Sequence, residues 1–154
     1  IDSLNFNPDG TIQKVIPTLR GVGLTNARSR IQIDRYSALQ GKGIGIDYLD
    51  KNNCFAGWKT LFSKSNTALI YNKVDFGNEK VAEITVRAKS AKGGVLVVRA
   101  DGTKGNIIAK VKIPKSAAWK NVRVQVLHAP QGVHALYVSL QSGADVEVDW
   151  LGFI

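Results

Sequence analysis

Two tryptophans, Trp58 and Trp119, are the residues whose type and position most directly suggest binding chemistry in this chain. Trp58 lies in an apolar run over residues 55–62, and Trp119 opens another run after a loop at 114–118. One tryptophan near a loop end packs in a protein core more often than it contacts a ligand. Two on neighbouring loops could hold a sugar between them, because the apolar C–H face of a pyranose packs on an electron-rich aromatic ring. Trp150 lies in the middle of a predicted strand, between Asp149 and Leu151, which predicts burial.

Residues suited to catalysis form no pattern that favours an enzyme. A glycosidase needs two carboxyl groups facing each other at a cleft, whereas most acidic residues here lie in turns or on polar strand faces. His128 and His134 flank a Pro-Gln-Gly turn and indicate neither a metal-binding pair nor a Ser-His-Asp triad. The single cysteine, Cys54, excludes an internal disulfide and a cysteine-based zinc cluster, and its predicted place in a strand favours a buried, inert thiol. The sequence therefore predicts that the chain is not an enzyme.

The composition favours one domain, since 154 residues with 44% apolar content are enough for one hydrophobic core. The formal net charge is +9, but the basic residues are spread evenly among apolar ones, as on solvent-facing strand positions. This spread argues against a nucleic-acid partner. No apolar stretch approaches the ~18 residues of a membrane-spanning helix. The first residues have neither the basic start nor the apolar core of a signal peptide, so location has to be inferred from a longer parent protein.

Apolar and polar residues alternate through most of the chain after residue 31, and this period of two predicts β-strands with one solvent-facing side. The alternating runs lie at residues 81–88, 94–100, 107–113, 119–126, 133–140 and 146–153. Two further strands are predicted over 55–62 and 68–77, joined by a polar loop at 63–67. Strand starts recur every ~10–13 residues, as in sandwiches and barrels. Because no segment shows helical periodicity, we predict an all-β sandwich.

Residues 1–23 differ from the rest of the chain. The segment at residues 7–10, Asn-Pro-Asp-Gly, is a strong turn signal, because proline fixes φ and glycine supplies a positive φ. Short extended pieces flank this turn at residues 4–6 and 11–16, so a small β-hairpin is predicted. Residues 18–30 carry glycines and polar residues, which are typical of a linker or a lead-in strand.

Three sequence blocks carry a family resemblance: IQIDRYS at residues 31–37, ALIYNKVDFG at 68–77 and VEVDWLGF at 146–153. They resemble the family 6 carbohydrate-binding modules, which are β-sandwiches of jelly-roll type. The resemblance implies a jelly roll of two antiparallel sheets over residues 30–154, with a non-catalytic, sugar-binding function. The N-terminal stretch IDSLNFNPDGTI is similar to the C-terminal end of a family 43 glycoside hydrolase propeller. It implies that residues 1–29 are the tail of a preceding catalytic domain plus a linker.

The resemblance implies a sugar-binding site formed by Trp58, Trp119 and Glu147. The two tryptophans match the aromatic walls of the family's cleft, whereas Glu147 replaces the asparagine that normally completes it. A carboxylate only accepts hydrogen bonds, so this replacement predicts altered recognition of sugar hydroxyls. The insertion at residues 63–67 could also reshape or block the cleft.

The resemblance further implies a structural calcium ion (Ca2+), with Gln32, Asp34 and Asp149 at the ligand positions. Calcium takes about six to eight oxygen ligands, so a neutral glutamine in place of a carboxylate weakens the site. The alternative is that Asp34 and Asp149 hydrogen-bond to loop backbone and hold no metal.

The leading hypothesis is a non-catalytic module that binds xylan- or arabinoxylan-like polysaccharide of plant cell walls. The resemblance implies an exported parent (periplasmic, cell-surface or extracellular) with an N-terminal hydrolase domain of the arabinofuranosidase or xylosidase type. We expect a monomer with no nucleic-acid partner and no membrane span. The alternative hypothesis is a structural module that docks on the parent hydrolase domain and has lost its sugar cleft. Glu147 and the insertion at 63–67 motivate that alternative.

Overall fold

The computed structural model describes residues 4–17 and 19–154 of the chain. Within these residues the regular structure consists of twelve β-strands and one 3₁₀ turn, which confirms the predicted all-β class. The strands are β1 Thr25–Asn26, β2 Ile31–Gln32, β3 Ala38–Gln40, β4 Ile44–Tyr48, β5 Trp58–Phe62, β6 Ala68–Asp75, β7 Glu83–Ser90, β8 Gly94–Ala100, β9 Ile107–Ile113, β10 Ser116–Gln125, β11 Val133–Gly143 and β12 Val146–Phe153. No helix in the described part of the chain has the length and apolar character needed to cross a membrane.

The alternation of apolar and polar residues explains where these strands lie. Strands β8, β9 and β12 have the predicted bounds, while β7, β10 and β11 differ from the prediction only at their ends. In β9, Val111 is buried whereas the neighbouring Lys110 and Lys112 are exposed. Successive side chains of a strand point to opposite sides, so each such strand has one core-facing and one solvent-facing side.

The strands form two sheets that pack face to face. One sheet has the order β1-β6-β11-β8-β9, with β3 also paired to β6. The other has the order β10-β7-β12-β5-β4, with β2 also paired to β12. Among the described residues, all strand pairs are antiparallel except the short pairing of β1 with β6, which is parallel. The predicted sandwich of two antiparallel sheets is therefore confirmed, with this one exception at a sheet edge.

Apolar side chains from both sheets fill the space between them, with Leu96 from one sheet and Phe62 and Ile84 from the other all fully buried. Tyr71 is buried in the same core, and its hydroxyl donates a hydrogen bond to the backbone oxygen of Ile33 (2.6 Å). A buried tyrosine hydroxyl requires such a partner. The bond also ties the segment after β2, which carries the predicted metal ligand Asp34, to the core.

The N-terminal residues form the predicted hairpin. Phe6 pairs with Ile12 in an antiparallel bridge, and Gly10 in the turn has a φ of +82°. Residues 1–3 of the predicted hydrolase tail lie outside the described residues.

The sandwich starts before residue 30, where the sequence places the beginning of the module. Strand β1 joins the edge of a sheet, and Ala27 is fully buried in the core. The backbone N–H of Ala27 donates to the Asp75 carbonyl oxygen (2.9 Å), which continues the pairing with β6. The second half of the predicted linker therefore belongs to the folded module, and residue 18 of that linker lies outside the described residues.

The stretch over residues 55–77 contains the two predicted strands, β5 and β6, and the first of them begins later than predicted. The strands lie in different sheets, so the loop at 63–67 crosses the sandwich. The first residues of this stretch form a 3₁₀ turn at Cys54–Ala56, because the Asn53 side chain caps that turn by accepting a hydrogen bond from the Phe55 N–H (3.2 Å). The turn leaves Phe55 95% exposed and Cys54 exposed beside it, so the predicted burial of this thiol is wrong.

Candidate functional site

The solvent-facing side of the β10-β7-β12-β5-β4 sheet, called the outer face below, carries two of the predicted sugar-binding residues. On β7, Arg87 and Lys89 alternate with Val86 and Ala88, which are buried in the core. This alternation directs the two basic side chains to the outer face. They lie in the middle of the candidate site, because β7 runs between β10 and β12.

Trp119, on the edge strand β10, lies over these two basic side chains. Its ring centroid is 5.3 Å from the guanidinium carbon of Arg87 and 5.1 Å from the Nζ of Lys89. Both distances are within the range of cation–π attraction, which favours one orientation of the indole on the outer face. The indole is half-buried, so part of its surface remains open to solvent.

Glu147 on β12 lies between two lysines of the same face. Its Oε2 is 2.7 Å from the Nζ of Lys59 and 3.4 Å from the Nζ of Lys89. The side chains of Lys59 and Glu147 are only 14% and 26% exposed, so solvent screens this pair less than a fully exposed one. Lys89 contacts both the Trp119 ring and Glu147, and the structure thereby brings these two predicted site residues together.

Asp149 is buried next to this group and is 5% exposed. Its Oδ2 lies 2.5 Å from Nη1 of Arg87. Burial raises the pKa of the Asp149 carboxyl above its ordinary value of 3.8, and the hydrogen bond and positive charge of Arg87 oppose that rise. Arg87 therefore compensates a buried carboxylate and at the same time supports the Trp119 ring.

Trp58, the third predicted sugar-binding residue, begins β5 and is 41% exposed. Its ring stacks on Tyr48 of β4, with the centroids 4.4 Å apart and the planes at 26°. The alternation along β5 puts Trp58 at the end of the side that carries the buried Thr60 and Phe62. Trp58 lines a cleft that Arg87 and Asp149 also line, whereas Trp119 is not among the residues of that cleft. Strands β7 and β12 also separate β5 from β10. The structure thus places Trp58 and Trp119 in different surroundings.

Sequence reasoning missed Tyr48, Arg87, Lys59 and Lys89 as neighbours of the predicted site. Lys59 lies within the apolar run at residues 55–62, and Lys89 directly follows the alternating run at 81–88, so the sequence shows both lysines beside predicted strands. What it does not show is the register that sets Lys89 opposite Glu147 and Tyr48 opposite Trp58. The polar positions of one strand identify contacts only when its register with the neighbouring strand is known.

The predicted calcium ligands, Gln32, Asp34 and Asp149, line one cleft of about 290 Å³. The cleft is also lined by three arginines, namely Arg30, Arg35 and Arg87. Asp149 is paired with Arg87, and Oδ2 of Asp34 lies 3.6 Å from Nε of Arg35. Calcium takes about six to eight oxygens, whereas both carboxylates here already face guanidinium groups. In the described part of the chain, no group of three or more His, Cys, Asp or Glu side chains could hold a metal. These residues do not fit a calcium ion.

Trp150 is half-buried, in contrast to its predicted burial. The pairing of β12 with β7 shifts register between Val148 and Trp150. This bulge reverses the alternation, so Val148 and Leu151 both point into the core and the indole turns outward. The guanidinium carbon of Arg30 lies 4.8 Å from its ring centroid.

Comparison with known proteins adds to this geometry. A family model for the carbohydrate binding module (family 6) matches residues 40–154, and no match was found among curated proteins. A family 6 module of Clostridium stercorarium in complex with cellobiose has 20% identity and a TM-score of 0.75, covering 85% of this chain and 96% of that one. A family 6 module of Clostridium cellulolyticum in complex with xylose has 25% identity and a TM-score of 0.73, covering 84% of this chain and 99% of that one.

A longer protein shares the same fold. A family 43 arabinoxylan arabinofuranohydrolase of Bacillus subtilis, in complex with cellotetraose, has 20% identity and a TM-score of 0.76. The match covers 99% of this chain and 33% of that chain. The family model spans most of the present chain, and the matched solved structures have the sandwich fold described above. The chain therefore belongs to family 6 of the carbohydrate-binding modules, a family of non-catalytic binding modules.

Proposed function

We propose that this chain binds xylan- or arabinoxylan-like polysaccharide of plant cell walls through Trp119 and Glu147, and that it contributes no catalysis of its own. The observation that carries the proposal is the position of Lys89, 5.1 Å from the Trp119 ring and 3.4 Å from the Glu147 carboxylate. These contacts join an aromatic surface to a charged hydrogen-bonding group on one face of one sheet.

The chemistry of this group suits a sugar. A pyranose packs its apolar C–H face on an indole, and Trp119 offers a half-exposed ring that two cations support. An asparagine in place of Glu147 would supply both a donor and an acceptor, whereas the carboxylate only accepts. The ammonium groups of Lys59 and Lys89 supply the missing donors within hydrogen-bonding reach of the same region. One sugar hydroxyl can then donate to Glu147 while another accepts from a lysine.

Trp58 and Tyr48 form a second aromatic surface, which we include as a separate contact for the glycan. Both rings are more than a third exposed, at 41% and 38%. A stacked aromatic pair that remains open to solvent is a common feature of binding surfaces. Because this pair lies apart from Trp119, we expect its contribution to the affinity to be independent.

The proposal also includes an exported polysaccharide hydrolase as the parent protein. The arabinofuranohydrolase match covers 99% of this chain, whereas the two separate modules cover 85% and 84%. The additional share of this chain covered by the arabinofuranohydrolase is similar in length to the residues before β1. This similarity supports the assignment of the N-terminal hairpin to the end of a hydrolase domain. A tethered module raises the effective concentration of polysaccharide near the catalytic domain.

Isothermal titration calorimetry with xylohexaose tests the proposed function. One or two stacked rings with a few hydrogen bonds predict a dissociation constant on the order of 10⁻⁴ to 10⁻³ M. Trp119→Ala should weaken binding at least about tenfold, since it removes the apolar surface that the sugar covers. Lys112→Ala, on β9 of the other sheet, is the matched control and should bind like wild type. The proposal fails if wild type gives no heat at millimolar ligand, or if Trp119→Ala gives the same heat as wild type.

A second candidate function, docking on the parent hydrolase domain, is favoured by the N-terminal hairpin. Its exposed apolar side chains are Leu4, Phe6, Ile12, Val15 and Ile16. A two-stranded hairpin is marginally stable alone, and large apolar side chains on its surface favour a covering partner. If the hairpin docks, Phe6→Ser in the full parent protein should lower its thermal midpoint. A purely structural module would in addition bind no xylohexaose.

A further inference from the structure

A second cleft, of about 360 Å³, opens on the outer face where residues 28–30 meet β7, β10 and β12. Its lining includes three arginines, one indole and three uncharged polar side chains: Arg28, Arg30, Arg123, Trp150, Ser29, Asn121 and Thr85. We call it the arginine cleft. Its lining includes neither Trp119 nor Glu147, so it is separate from the site proposed above.

Backbone contacts fix the wall of the arginine cleft. The N–H of Phe153 donates to the carbonyl oxygen of Ala27 (2.9 Å), which holds the segment before β2 against β12. At Gly152, an added Cβ would lie 2.9 Å from the carbonyl oxygen of Ser29. A side chain there would push residues 28–30 away, so the close approach depends on glycine.

Thr85 is the residue that points to a ligand. It is 9% exposed, lines the cleft, and its hydroxyl oxygen has no hydrogen-bond partner among the described residues. A buried hydroxyl without a partner costs folding free energy. The Thr85 hydroxyl oxygen has almost no exposed surface, so a polar ligand in the cleft satisfies this group by displacing the side chains that cover it.

The arginines give the cleft a positive charge. Arg28 and Arg123 each face one carboxylate, Glu79 at 3.7 Å and Glu83 at 3.4 Å. Arg30 rests on an indole ring instead. Arg30 also lies near enough to Asp149 to lower its pKa, but among the described residues it forms no ion pair within 4 Å, so its guanidinium group remains available to an anionic ligand.

We propose that the arginine cleft binds the carboxylate of a uronic-acid sugar carried by the glycan. The choice of a sugar rests on the proposed function, while the choice of an acidic one rests on the arginines. A guanidinium group binds a carboxylate through two parallel hydrogen bonds, and the amide of Asn121 and hydroxyl of Thr85 suit sugar hydroxyls. Trp119, Asn121 and Arg123 occupy alternate positions of β10, which places Arg123 about 13 Å along the strand from Trp119. A branched oligosaccharide can span that distance.

Calorimetry with a matched ligand pair tests this inference. The probes are xylotetraose and xylotetraose that carries one glucuronic-acid side group. We expect the acidic ligand to bind wild type about tenfold more tightly than the neutral one at low salt, with a smaller difference at high salt. The double variant Arg30→Gln/Arg123→Gln should bind both ligands alike. Lys110→Gln/Lys112→Gln, which removes the same charge from the opposite sheet, should keep the preference.

Thr85→Val separates a ligand contact from general charge attraction. It removes the unpaired hydroxyl but keeps the shape, so we expect weaker binding of the acidic ligand with no fall in thermal midpoint. The inference is overturned if wild type binds both ligands equally, if the arginine double variant keeps the preference, or if Thr85→Val binds the acidic ligand like wild type. Trp119→Ala should weaken binding of both ligands and keep the preference for the acidic one, so a failure of the proposed function is distinguishable from a failure here.

Discussion

Replacing Arg87 with methionine removes a cation that Asp149 and Trp119 share, and we expect both stability and glycan binding to change. Asp149 is 5% exposed, with its Oδ2 2.5 Å from Nη1 of Arg87. The guanidinium carbon also lies 5.3 Å from the Trp119 ring centroid. Methionine keeps the apolar stem of the side chain but leaves the carboxylate buried without its hydrogen-bonded cation.

The structure sets the size of the expected loss. Removing one partner of a fully buried ion pair costs about 3–5 kcal/mol. The Arg87 side chain is 34% exposed, so solvent screens part of this pair. We therefore expect the free energy of unfolding to fall by about 2 kcal/mol. For a chain of this length, that corresponds to a fall in thermal midpoint of about 4–8 °C.

The loss should also depend on pH. Burial raises the pKa of Asp149 in the folded state, and Arg87 opposes that rise, so the variant's folded pKa should lie higher still. A group with a raised folded pKa stabilises the fold below its unfolded pKa, and this stability disappears as pH rises through the folded pKa. The deficit of the Arg87→Met variant should therefore be largest near pH 7 and shrink as the pH falls toward the ordinary value of 3.8.

Urea denaturation of wild type and Arg87→Met at neutral and acidic pH measures this deficit. Adding Asp149→Asn to the variant is the control, since it removes the buried charge and should recover part of the lost stability. A deficit below about 0.5 kcal/mol, or one that is equal at both pH values, would refute the compensation of a buried carboxylate by Arg87. Calorimetry on the same variant should show weaker xylohexaose binding, because the indole loses one of its two supporting cations.

Three further predictions concern the tryptophans, the metal and a histidine. Trp58→Ala and Trp119→Ala should weaken xylohexaose binding additively in a double-mutant cycle measured by calorimetry, because the two rings lie on separate surfaces. Calcium should not raise the thermal midpoint above its value in EGTA, measured by differential scanning calorimetry, because arginines already pair the carboxylates of the predicted site. His134→Gln should cost more stability at pH 5 than at pH 9, measured by urea denaturation. Its Nδ1 and Nε2 face the Asp101 carboxylate (2.6 Å) and the Gln131 carbonyl oxygen (2.8 Å). The hydrogen bond to Asp101 raises the pKa of His134 above 6.5, so its stabilisation is present below that pH and is lost as pH rises through the folded pKa.

Each of these predictions has a contrary outcome. A coupling energy above about 0.5 kcal/mol between the two tryptophans would mean that they share one slot, as the sequence predicts. A higher thermal midpoint with calcium would show that the predicted ligands hold the metal despite the arginines around them. An equal loss for His134→Gln at both pH values would show that the imidazolium form makes no special contribution.

The strands were predictable because alternation is a local signal. The bounds of β8, β9 and β12 follow from it, since each strand has one buried side and one polar side. The sheet that each strand joins is not local: β5 and β6 are neighbours in sequence yet lie in different sheets. The two strands predicted over residues 55–77 are present, but nothing in the sequence assigns them to different sheets.

The site was predictable in residue type but only partly in arrangement. Trp119 and Glu147 meet through Lys89, and nothing in the sequence around Lys89 marks it as the link. The bulge that turns Trp150 outward also has no sequence signal, because an apolar residue in the middle of a run predicts burial. The Asn53 cap is also not evident from the sequence, and it forms a turn that exposes Cys54 where a strand was predicted.

Titration of the indole N–H signals tests the central claim most directly. The chain has three tryptophans, so a ¹H–¹⁵N correlation spectrum should contain three indole signals, assignable by substitution. We predict that xylohexaose at millimolar concentration shifts the Trp119 signal, with a saturating curve that matches the calorimetric affinity. A Trp119 signal that stays in place while the ligand binds elsewhere, or that never moves at any concentration, would contradict the assignment of the outer face as the sugar-binding surface.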